Sequence, residues 1–515
     1  MTAVPATAQP QEGVGLNRVA ITVSIMLATV MQSLDTTIAN VALPHMQGSV
    51  SASQDQITWI LTSYIVASAI ATPLTGWVSD RIGRKRLFLI AIAGFTVASM
   101  LCGMAENLAE IVLFRLLQGL FGACLIPLSQ AVLLDIYPPR MHGQAMAIWG
   151  AGAILGPILG PFLGGLLTEN LSWRWVFYIN LPIGLLAFAG VWSFIAADVK
   201  RTAKRFDFLG FGTLALFIAC FQMMLDRGPG EDWFGSPEIV AWAVTSAVGL
   251  WVFMIHTATT HHPFFDRELA TDRNFVVCTI FGFFVGVLLF STMAVLPPMM
   301  QGLMGYPVLT SGIVSMPRGL GAFLSMFIVG RLVGKIDIRL LLATGLALNA
   351  AALWQMTHFD LSMTSMPLIT SGLLQGFGTG LIFVPMTALA FATLNPRLRA
   401  EASAVNTLIR SLGMAAGISI VQALQVQNSV IMRASMTEYV RPDNPVFAAT
   451  VPGLMNPSTL TGLANLSGEL SRQAAMVAYV DGFRLLFWVT LAMFPMLLLM
   501  SKPKSRTETP VVHAD

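Results

Sequence analysis

The chain has 515 residues, of which 55% are hydrophobic and 11% charged, with a formal net charge of +3 and a mean hydropathy of +0.72. A soluble protein carries about 25% charged residues, so this composition cannot cover the surface of a soluble globule. It excludes a secreted enzyme, a disordered scaffold and a nucleic-acid-binding domain, and it predicts a protein that lies in a lipid bilayer.

Apolar runs of membrane-spanning length follow one another along the chain. The run after residue 18 is too long for the hydrophobic region of a signal peptide, so we interpret it as the first span. The long connector 424–479 is predicted to lie outside the membrane, and its apolar spacing near Leu460–Val480 suggests a helix on the surface. The fourteen predicted spans are 19–43, 56–78, 86–104, 108–134, 141–167, 174–196, 207–226, 237–257, 275–299, 308–330, 339–357, 365–392, 400–423 and 480–500.

The distribution of basic residues predicts the orientation of the chain. Most of the 29 Lys and Arg residues fall on connectors of one side, which the positive-inside rule assigns to the cytoplasm. The number of spans is even, so both termini are predicted to be cytoplasmic.

An internal repeat relates the two ends of this array. Gln118-Gly119 in span four is echoed by Gln375-Gly376 in span twelve, each followed by a proline, and the loop 76–86 has a weaker counterpart in 330–339. These echoes occupy matching places if spans seven and eight are an insertion between two six-span halves that surround a central site. We therefore predict an all-α membrane protein of 6 + 2 + 6 helices, divided into a tail 1–18, a first half 19–196, an insertion with linkers 197–257, a second half 258–500 that includes 424–479, and a tail 501–515.

An acidic side chain, Asp35, lies inside the first predicted span. A carboxylate in hydrocarbon costs a few kcal/mol, which makes it a candidate functional residue. Asp35 and Arg115 of span four lie ~12 Å and ~10 Å from the outer ends of their spans at 1.5 Å per residue, hence at similar depth. Burial favours the protonated carboxyl and a nearby guanidinium favours the carboxylate, so their separation would set whether Asp35 holds a proton. A static buried ion pair is the alternative.

This scheme uses a proton gradient and no cofactor, and it requires that Asp35 reach a water-accessible vestibule. Gln32, Thr36 and Asn40 are candidate neighbours in a substrate cavity, because Thr36 and Asn40 lie four residues apart on the helix and Gln32 lies three residues before Asp35. No metal site is predicted; the dipeptide His261-His262 lacks further ligands. No nucleotide-binding or zinc-protease motif occurs either, so no enzymatic activity is expected.

Two further arginines lie within predicted spans and bear on the substrate. Arg318 and Arg410 lie ~15 Å and ~18 Å from the outer surface, so three arginines accompany one clear aspartate. A cavity for dications should carry surplus carboxylates, so this inventory favours neutral or weakly acidic amphipathic compounds. The alternative is that these arginines bind backbone carbonyls at helix breaks beside Pro317 or Gly413.

Two glycine-containing motifs complete the candidates. The loop 76–86 has glycines that allow close helix approach and a basic cluster suited to the cytoplasmic surface. In span five, prolines and glycines alternate over 156–165, which predicts a kinked and closely packed helix. The residues concerned are Gly76, Asp80, Arg81, Gly83 and Arg84 in the loop, and Gly156, Gly160, Pro161, Gly164 and Gly165 in span five.

Together these motifs resemble those of EmrB-type multidrug efflux transporters, in the fourteen-span drug:proton antiporter family of the major facilitator superfamily. The segments Trp173–Gly184 and Leu225–Gly228 are similar too, and the resemblance runs from about residue 18 to 500. It implies that Asp80, Arg84 and Asp135 form a charge cluster that latches one conformation, and that the span-five motif is an antiporter signature.

The resemblance also implies an activity and partners. These are proton-driven multidrug export by alternating access across the bacterial inner membrane, with an EmrA-like periplasmic adaptor and a TolC-like outer-membrane channel. Gly372 stands where the repeat would place the counterpart of Arg115, so proton handling is expected mainly in the first half. A dedicated exporter of one endogenous metabolite or fatty acid is the alternative.

Overall fold

The structure, a computed structural model, describes residues 14–52, 56–57, 59–138, 141–196, 206–440 and 459–501. A backbone in hydrocarbon must satisfy its own hydrogen bonds, which the apolar segments do by folding as helices. In the described ranges every regular secondary-structure element is a helix, so the predicted all-α fold is confirmed. The helices are α1 (Val14–Ser49), α2 (Trp59–Ala71), α3 (Leu74–Ile82), α4 (Arg84–Met104), α5 (Leu108–Gly122), α6 (Leu125–Ile136), α7 (His142–Asn170), α8 (Trp175–Tyr178), α9 (Asn180–Phe194), α10 (Phe208–Arg227), α11 (Pro237–Thr259), α12 (Arg267–Thr271), α13 (Arg273–Pro298), α14 (Val308–Leu332), α15 (Ile338–Met356), α16 (Met366–Ala392), α17 (Arg399–Tyr439), α18 (Leu460–Ala492) and α19 (Met496–Leu499).

The predicted number of spans agrees with the helices. Within the described ranges, thirteen helical segments are long and apolar enough to cross a membrane, and a fourteenth is formed if the bent pair α2 and α3 counts as one span. The bend of 59° falls at Pro73, whose ring removes a backbone N–H donor. The predicted tails lie largely outside the described residues, as do 197–205 of the first linker and 441–458 of the long connector.

The predicted connector 424–479 is largely helical. Helix α17 continues to Tyr439, and α18 runs from Leu460 to Ala492 without a break. The prediction of a separate surface helix near Leu460–Val480 is therefore wrong, since that stretch is continuous with the last span. With 41 residues, α17 is ~60 Å long, about twice the ~30 Å hydrocarbon core of a bilayer.

The helices form two compact units. The first contains α1–α6, the part of α7 from Gly152 onward, α8 and α9. In it α5 packs against α2 and α4, and α9 packs against α1 and α4. These contacts bring the predicted spans one, four and six around Asp35.

The second unit contains the start of α7, up to Ala151, and the helices from α10 onward. In it α16 packs against α14 and α15, while α17 packs against α13 and α18. The α10–α11 pair belongs to this unit, where Ser419 Oγ on α17 donates to the Leu225 carbonyl at 2.7 Å.

The loops that the sequence repeat pairs each contain a glycine with the same positive φ angle. Gly83 separates α3 from α4 and Gly334 separates α14 from α15, and both have a φ of 92°. This left-handed region is costly for residues with a Cβ atom, which accounts for the glycines. The matching glycines support the equivalence of the two loops.

Candidate functional site

Asp35 on α1 and Arg115 on α5 form a buried ion pair. Arg115 Nη1 lies 2.7 Å from Asp35 Oδ2, and the side chains of Arg115 and Asp35 are 1% and 0% exposed. The similar depth predicted from the sequence is thus accompanied by direct contact. A charge pair without water is stable only when its remaining hydrogen-bonding capacity is satisfied.

Two side-chain amides satisfy the remaining hydrogen-bonding capacity of this ion pair. Gln118 Nε2 and Asn180 Nδ2 both donate to Asp35 Oδ1, at 2.8 and 3.0 Å. Gln118 Oε1 in turn accepts from Arg115 Nη1 at 2.8 Å. The Asp35 carboxyl therefore accepts hydrogen bonds from three donor groups.

The guanidinium of Arg115 is enclosed on its other sides. Its Nε donates to the Ile60 carbonyl at 3.1 Å. Its central carbon lies 4.4 Å from the ring centre of Tyr64 and 5.6 Å from that of Phe177, within the range of cation–π attraction. Helices α2, α5 and α8 thus hold the cation in place.

This geometry corrects one expectation. The prediction that Asp35 reaches a water-accessible vestibule is wrong for the conformation described, because the side chain has no exposed surface. Proton exchange at Asp35 requires a different conformation in which the enclosing side chains separate. The static ion pair and the exchanging acid therefore both remain compatible with this geometry.

The three polar neighbours predicted on α1 are not brought together. Gln32 is buried, and its Oε1 has no hydrogen-bond partner among the described residues. Thr36 and Asn40 are exposed and lie one turn apart, with the Thr36 hydroxyl donating to the Ser33 carbonyl at 2.8 Å. Exposed polar side chains within an apolar helix favour water over lipid, so Thr36 and Asn40 define a polar strip.

In the second unit, Arg318 on α14 and Arg410 on α17 are half-buried. In the described part of the chain no acidic side chain pairs with either. Arg318 Nη2 is buried without a hydrogen-bond partner there, and the Arg410 guanidinium lies 5.2 Å from the ring centre of Phe383. The alternative of carbonyl contacts at helix breaks is wrong, because α14 and α17 are unbroken at Pro317 and Gly413.

The repeat shows what the second unit lacks. The displacement along the chain that relates Gln118 to Gln375 also relates Asp35 to Thr292 and Arg115 to Gly372. Gln375 Nε2 donates to Thr292 Oγ1 at 3.1 Å, so the amide contact is kept while the acid is absent. A Cβ atom at Gly372 would lie 3.6 Å from the Cβ of Arg318, so an arginine on the neighbouring helix packs against this glycine.

The glycines of the span-five motif bring α7 against α1. A Cβ atom at Gly156 would lie 2.3 Å from the carbonyl carbon of Ser33, and one at Gly160 would lie 2.1 Å from Thr37 Oγ1. The Thr37 hydroxyl donates to the Gly156 carbonyl at 3.1 Å. Gly164 is buried as well, whereas a Cβ atom at Gly165 would meet no atom within 4 Å. The side chain of Pro161 lies outside the described residues.

The loop motif forms part of the predicted charge cluster. Arg84 at the start of α4 makes an ion pair with Asp135 near the end of α6. Arg81 lies over the Trp77 ring at 5.1 Å. Asp80 is half-buried in the same loop, and Gly76 and Gly83 are buried. That this cluster latches one conformation stays a prediction.

Sequence reasoning missed Asn180 and did not assign Gln118 to the site. Both are amides inside apolar helices, and a buried amide needs partners; that signal was present in the sequence. Which partner each amide finds depends on helix rotation, which hydropathy does not give.

Comparisons with known proteins agree with this architecture. Residues 25–418 match the family model described as Major Facilitator Superfamily. The chain is 34% identical to the multidrug export protein EmrB of Haemophilus influenzae over 95% of this chain and 96% of the relative, and 34% identical to EmrB of Escherichia coli K12 over 95% of both. It is 34% identical to the fatty acid resistance protein FarB of Neisseria gonorrhoeae, over 94% of this chain and 96% of the relative.

Solved structures share the fold at lower identity. The human organic anion transporter MFSD10 superposes with a TM-score of 0.60 at 16% identity, covering 94% of this chain and all of that chain. The proton:xylose symporter XylE superposes with a TM-score of 0.58 at 13% identity, covering 94% of this chain and 96% of that chain.

The contact between α7 and α1 generates a prediction. Gly156→Ala places a methyl group against the α1 backbone, so we expect transport to be lost, with a destabilisation of about 1–3 kcal/mol from overpacking. Gly165→Ala is the matched control in the same helix and should transport normally. Drug efflux from cells and thermal unfolding of the purified variants measure both effects. Normal efflux by Gly156→Ala would contradict the close contact.

Proposed function

Since the chain belongs to the major facilitator superfamily, among its EmrB-type multidrug export proteins, we propose that it exchanges protons for exported drugs. As a multi-pass membrane transporter of this family it acts on small molecules. The proposal adds the energy source, the site of proton exchange and the class of substrate. Its mechanism is alternating access, in which two halves rock about a central site.

The buried network around Asp35 is the single observation that carries proton coupling. In the conformation described, the carboxylate is fully buried and held by Arg115, Gln118 and Asn180. Separation of Arg115 from Asp35 removes the main stabilisation of the charge, so the carboxyl takes a proton once water reaches it. A proton that moves down ~100 mV supplies ~2.3 kcal/mol.

Coupling of export to proton entry requires that the drug and the proton are not bound at the same time. The protonated carboxyl no longer attracts the Arg115 guanidinium, so the two protonation states favour different packings of α1 against α5. Drug binding to the packing with ionised Asp35 then expels the proton, and proton entry expels the drug. A purely static ion pair would give no such linkage.

The two arginines of the second unit support a preference for neutral or weakly acidic amphipathic compounds. An uncompensated guanidinium attracts carboxylates and repels cations, and neither Arg318 nor Arg410 has an acidic partner in the described ranges. One relative of equal identity, FarB, is named for fatty acid resistance. That name also supports the second candidate function, an exporter dedicated to a single fatty acid or metabolite.

We further propose the bacterial inner membrane as the location, and an EmrA-like periplasmic adaptor and a TolC-like outer-membrane channel as partners. This proposal is supported by the relationship to EmrB proteins of Gram-negative bacteria.

The proton site is tested with Asp35→Asn in inverted membrane vesicles. We expect drug-induced proton flux to be lost, because an amide cannot exchange a proton near neutral pH. In the wild-type chain drug affinity should fall as pH falls, since protonation of Asp35 favours release, whereas in Asp35→Asn it should be independent of pH.

The matched control is Asp360→Asn, between α15 and α16. Hydrogen bonds from the Ser362 side chain and backbone lower the pKa of this exposed carboxyl, and coupling should be unchanged. Full coupling in Asp35→Asn would show that the proton site lies elsewhere. An unaltered pH dependence of drug binding in that variant would favour the static ion pair.

The substrate preference is tested with Arg318→Gln and Arg410→Gln against acidic, neutral and cationic toxins. A lost hydrogen bond to a charged group costs about 1.5–3 kcal/mol, so we expect resistance to acidic compounds to fall about tenfold or more while resistance to neutral ones persists. Arg433→Gln, at an exposed position of α17, is the control. Organic dications that compete as strongly as weak acids would contradict the preference, and resistance to one compound only would favour the dedicated exporter.

The partners are tested in a pump-deleted Gram-negative host. With an EmrA-like adaptor supplied, resistance should require the outer-membrane channel and the adaptor should copurify with this chain. Equal resistance in a strain that lacks the channel would contradict tripartite export.

A further inference from the structure

Asn180, at the start of α9 beside Asp35, has hydrogen-bond partners for its amide nitrogen only among the described residues. The side chain is fully buried, and its Nδ2 donates to Asp35 Oδ1 at 3.0 Å and to Ser99 Oγ at 2.9 Å. Its Oδ1 is buried and has no hydrogen-bond partner in the described part of the chain. A buried carbonyl without a donor is unfavourable, so the present orientation is held by the carboxylate that the amide donates to.

The neighbouring amide, Gln118, is fixed in one orientation. Its Oε1 accepts from Arg115 Nη1 at 2.8 Å and from Cys102 Sγ at 3.6 Å. A guanidinium only donates, so the oxygen of Gln118 must face Arg115 whatever the state of Asp35.

No such donor fixes Asn180. Its two partners are Asp35, which accepts as a carboxylate and donates as a protonated carboxyl, and Ser99, whose hydroxyl can donate or accept. The Ser99 hydroxyl at present donates to the Phe177 carbonyl at 2.9 Å and is free to rotate toward an acceptor. Asn180 is therefore the amide of this site whose orientation follows Asp35.

We propose that Asn180 is a positioning residue that responds to the protonation of Asp35 by turning its amide over. With Asp35 ionised, Asn180 Nδ2 donates to the carboxylate. When a proton binds to Asp35 Oδ1, the new O–H donates to Asn180 Oδ1, which gains a partner while Nδ2 gives up its hydrogen bonds to Asp35 and Ser99. The only covalent change is the O–H bond formed on Asp35. This inference rests on the proposed exchange of a proton at Asp35.

The charged and titratable groups around Asp35 and Asn180 favour Asn180 as the amide that responds to protonation. The charged group that faces Asp35 is Arg115 from α5, and the other titratable side chains nearby are Tyr64 on α2 and Cys102 on α4. Tyr64 lies against Arg115 and Cys102 against Gln118. They constrain the guanidinium and Gln118, and leave Asn180 as the responsive partner.

The consequence is that Asp35 retains a hydrogen bond from α9 in both protonation states. Gln118 stabilises the ionised form alone, whereas Asn180 supports both forms. The two forms are thereby brought closer in free energy, as a site that must load and release a proton requires.

Infrared difference spectroscopy on the full chain in liposomes tests the inference, with ¹³C-labelled asparagine to mark amide carbonyls. Acidification should produce the C=O band of protonated Asp35, absent in Asp35→Asn, and a shift of one asparagine C=O band to lower frequency as it gains an O–H donor. That band should be lost in Asn180→Leu, or in Asn180→Ser if the leucine variant does not fold. It should persist in Asn349→Leu, which removes an equally buried asparagine on α15.

The pH midpoint of Asp35 protonation provides a second measurement. Gln118→Met removes a donor that serves the carboxylate alone, so the midpoint should rise. Asn180→Leu should move it by less, because this amide supports both forms. Equal upward shifts in the two variants would contradict a turning amide.

The outcomes separate this inference from the proposed function. An Asp35 band without any shift of the Asn180 carbonyl overturns the turning amide and leaves proton exchange at Asp35 in place. The absence of an Asp35 band at every pH in the wild-type chain overturns both. A carbonyl shift that persists in Asp35→Asn overturns the link between the two residues.

Discussion

The arrangement of the first unit depends on the burial of one charge pair. A carboxylate and a guanidinium removed from water each lose several kcal/mol of solvation, which their mutual attraction repays only with good geometry and full hydrogen bonding. Asp35 and Arg115 meet that condition through Gln118, Asn180 and the Ile60 carbonyl. The partners come from α1, α2, α5 and α9, so the pair fixes how these helices are rotated relative to one another. Such a site is stable while closed, and movement of one helix breaks the hydrogen bonds that this helix supplies.

The second unit uses the same scaffold for different chemistry. Thr292 replaces the acid and Gly372 replaces the arginine, while Gln375 keeps its contact across the helix interface. A guanidinium is present nearby, on α14 instead of α16, and without an acidic partner in the described ranges. The repeat has thus diverged into one half with a self-compensated charge pair and another with uncompensated positive charge. Under the proposed function, proton handling and the attraction of acidic groups fall to separate halves.

The fold could be predicted from the sequence because hydropathy is summed over some twenty residues per span. The depth of Asp35 and Arg115 followed from counting residues along straight helices, and the structure places them in contact. Their complete burial could not be predicted, because it depends on how α2, α8 and α9 close around them. Asn180 was missed for the same reason. The continuation of α17 to Tyr439 and the unbroken α18 were missed because hydropathy detects apolar segments and not polar helices beyond them.

The lengths of α17 and α18 have a mechanical consequence. Toward Tyr439 and Leu460 the two helices are joined by side-chain contacts, Asn428 to Asp481 at 3.3 Å and Arg433 to Ser467 at 3.0 Å. A hydrocarbon core of ~30 Å would cover about half of the ~60 Å of α17. A tilt of about 10° within the bilayer would displace the tip of a ~30 Å rod by ~5 Å. In such a tilt the helix pair would act as a lever, which converts a small rotation inside the lipid into a movement of several ångströms at its tip.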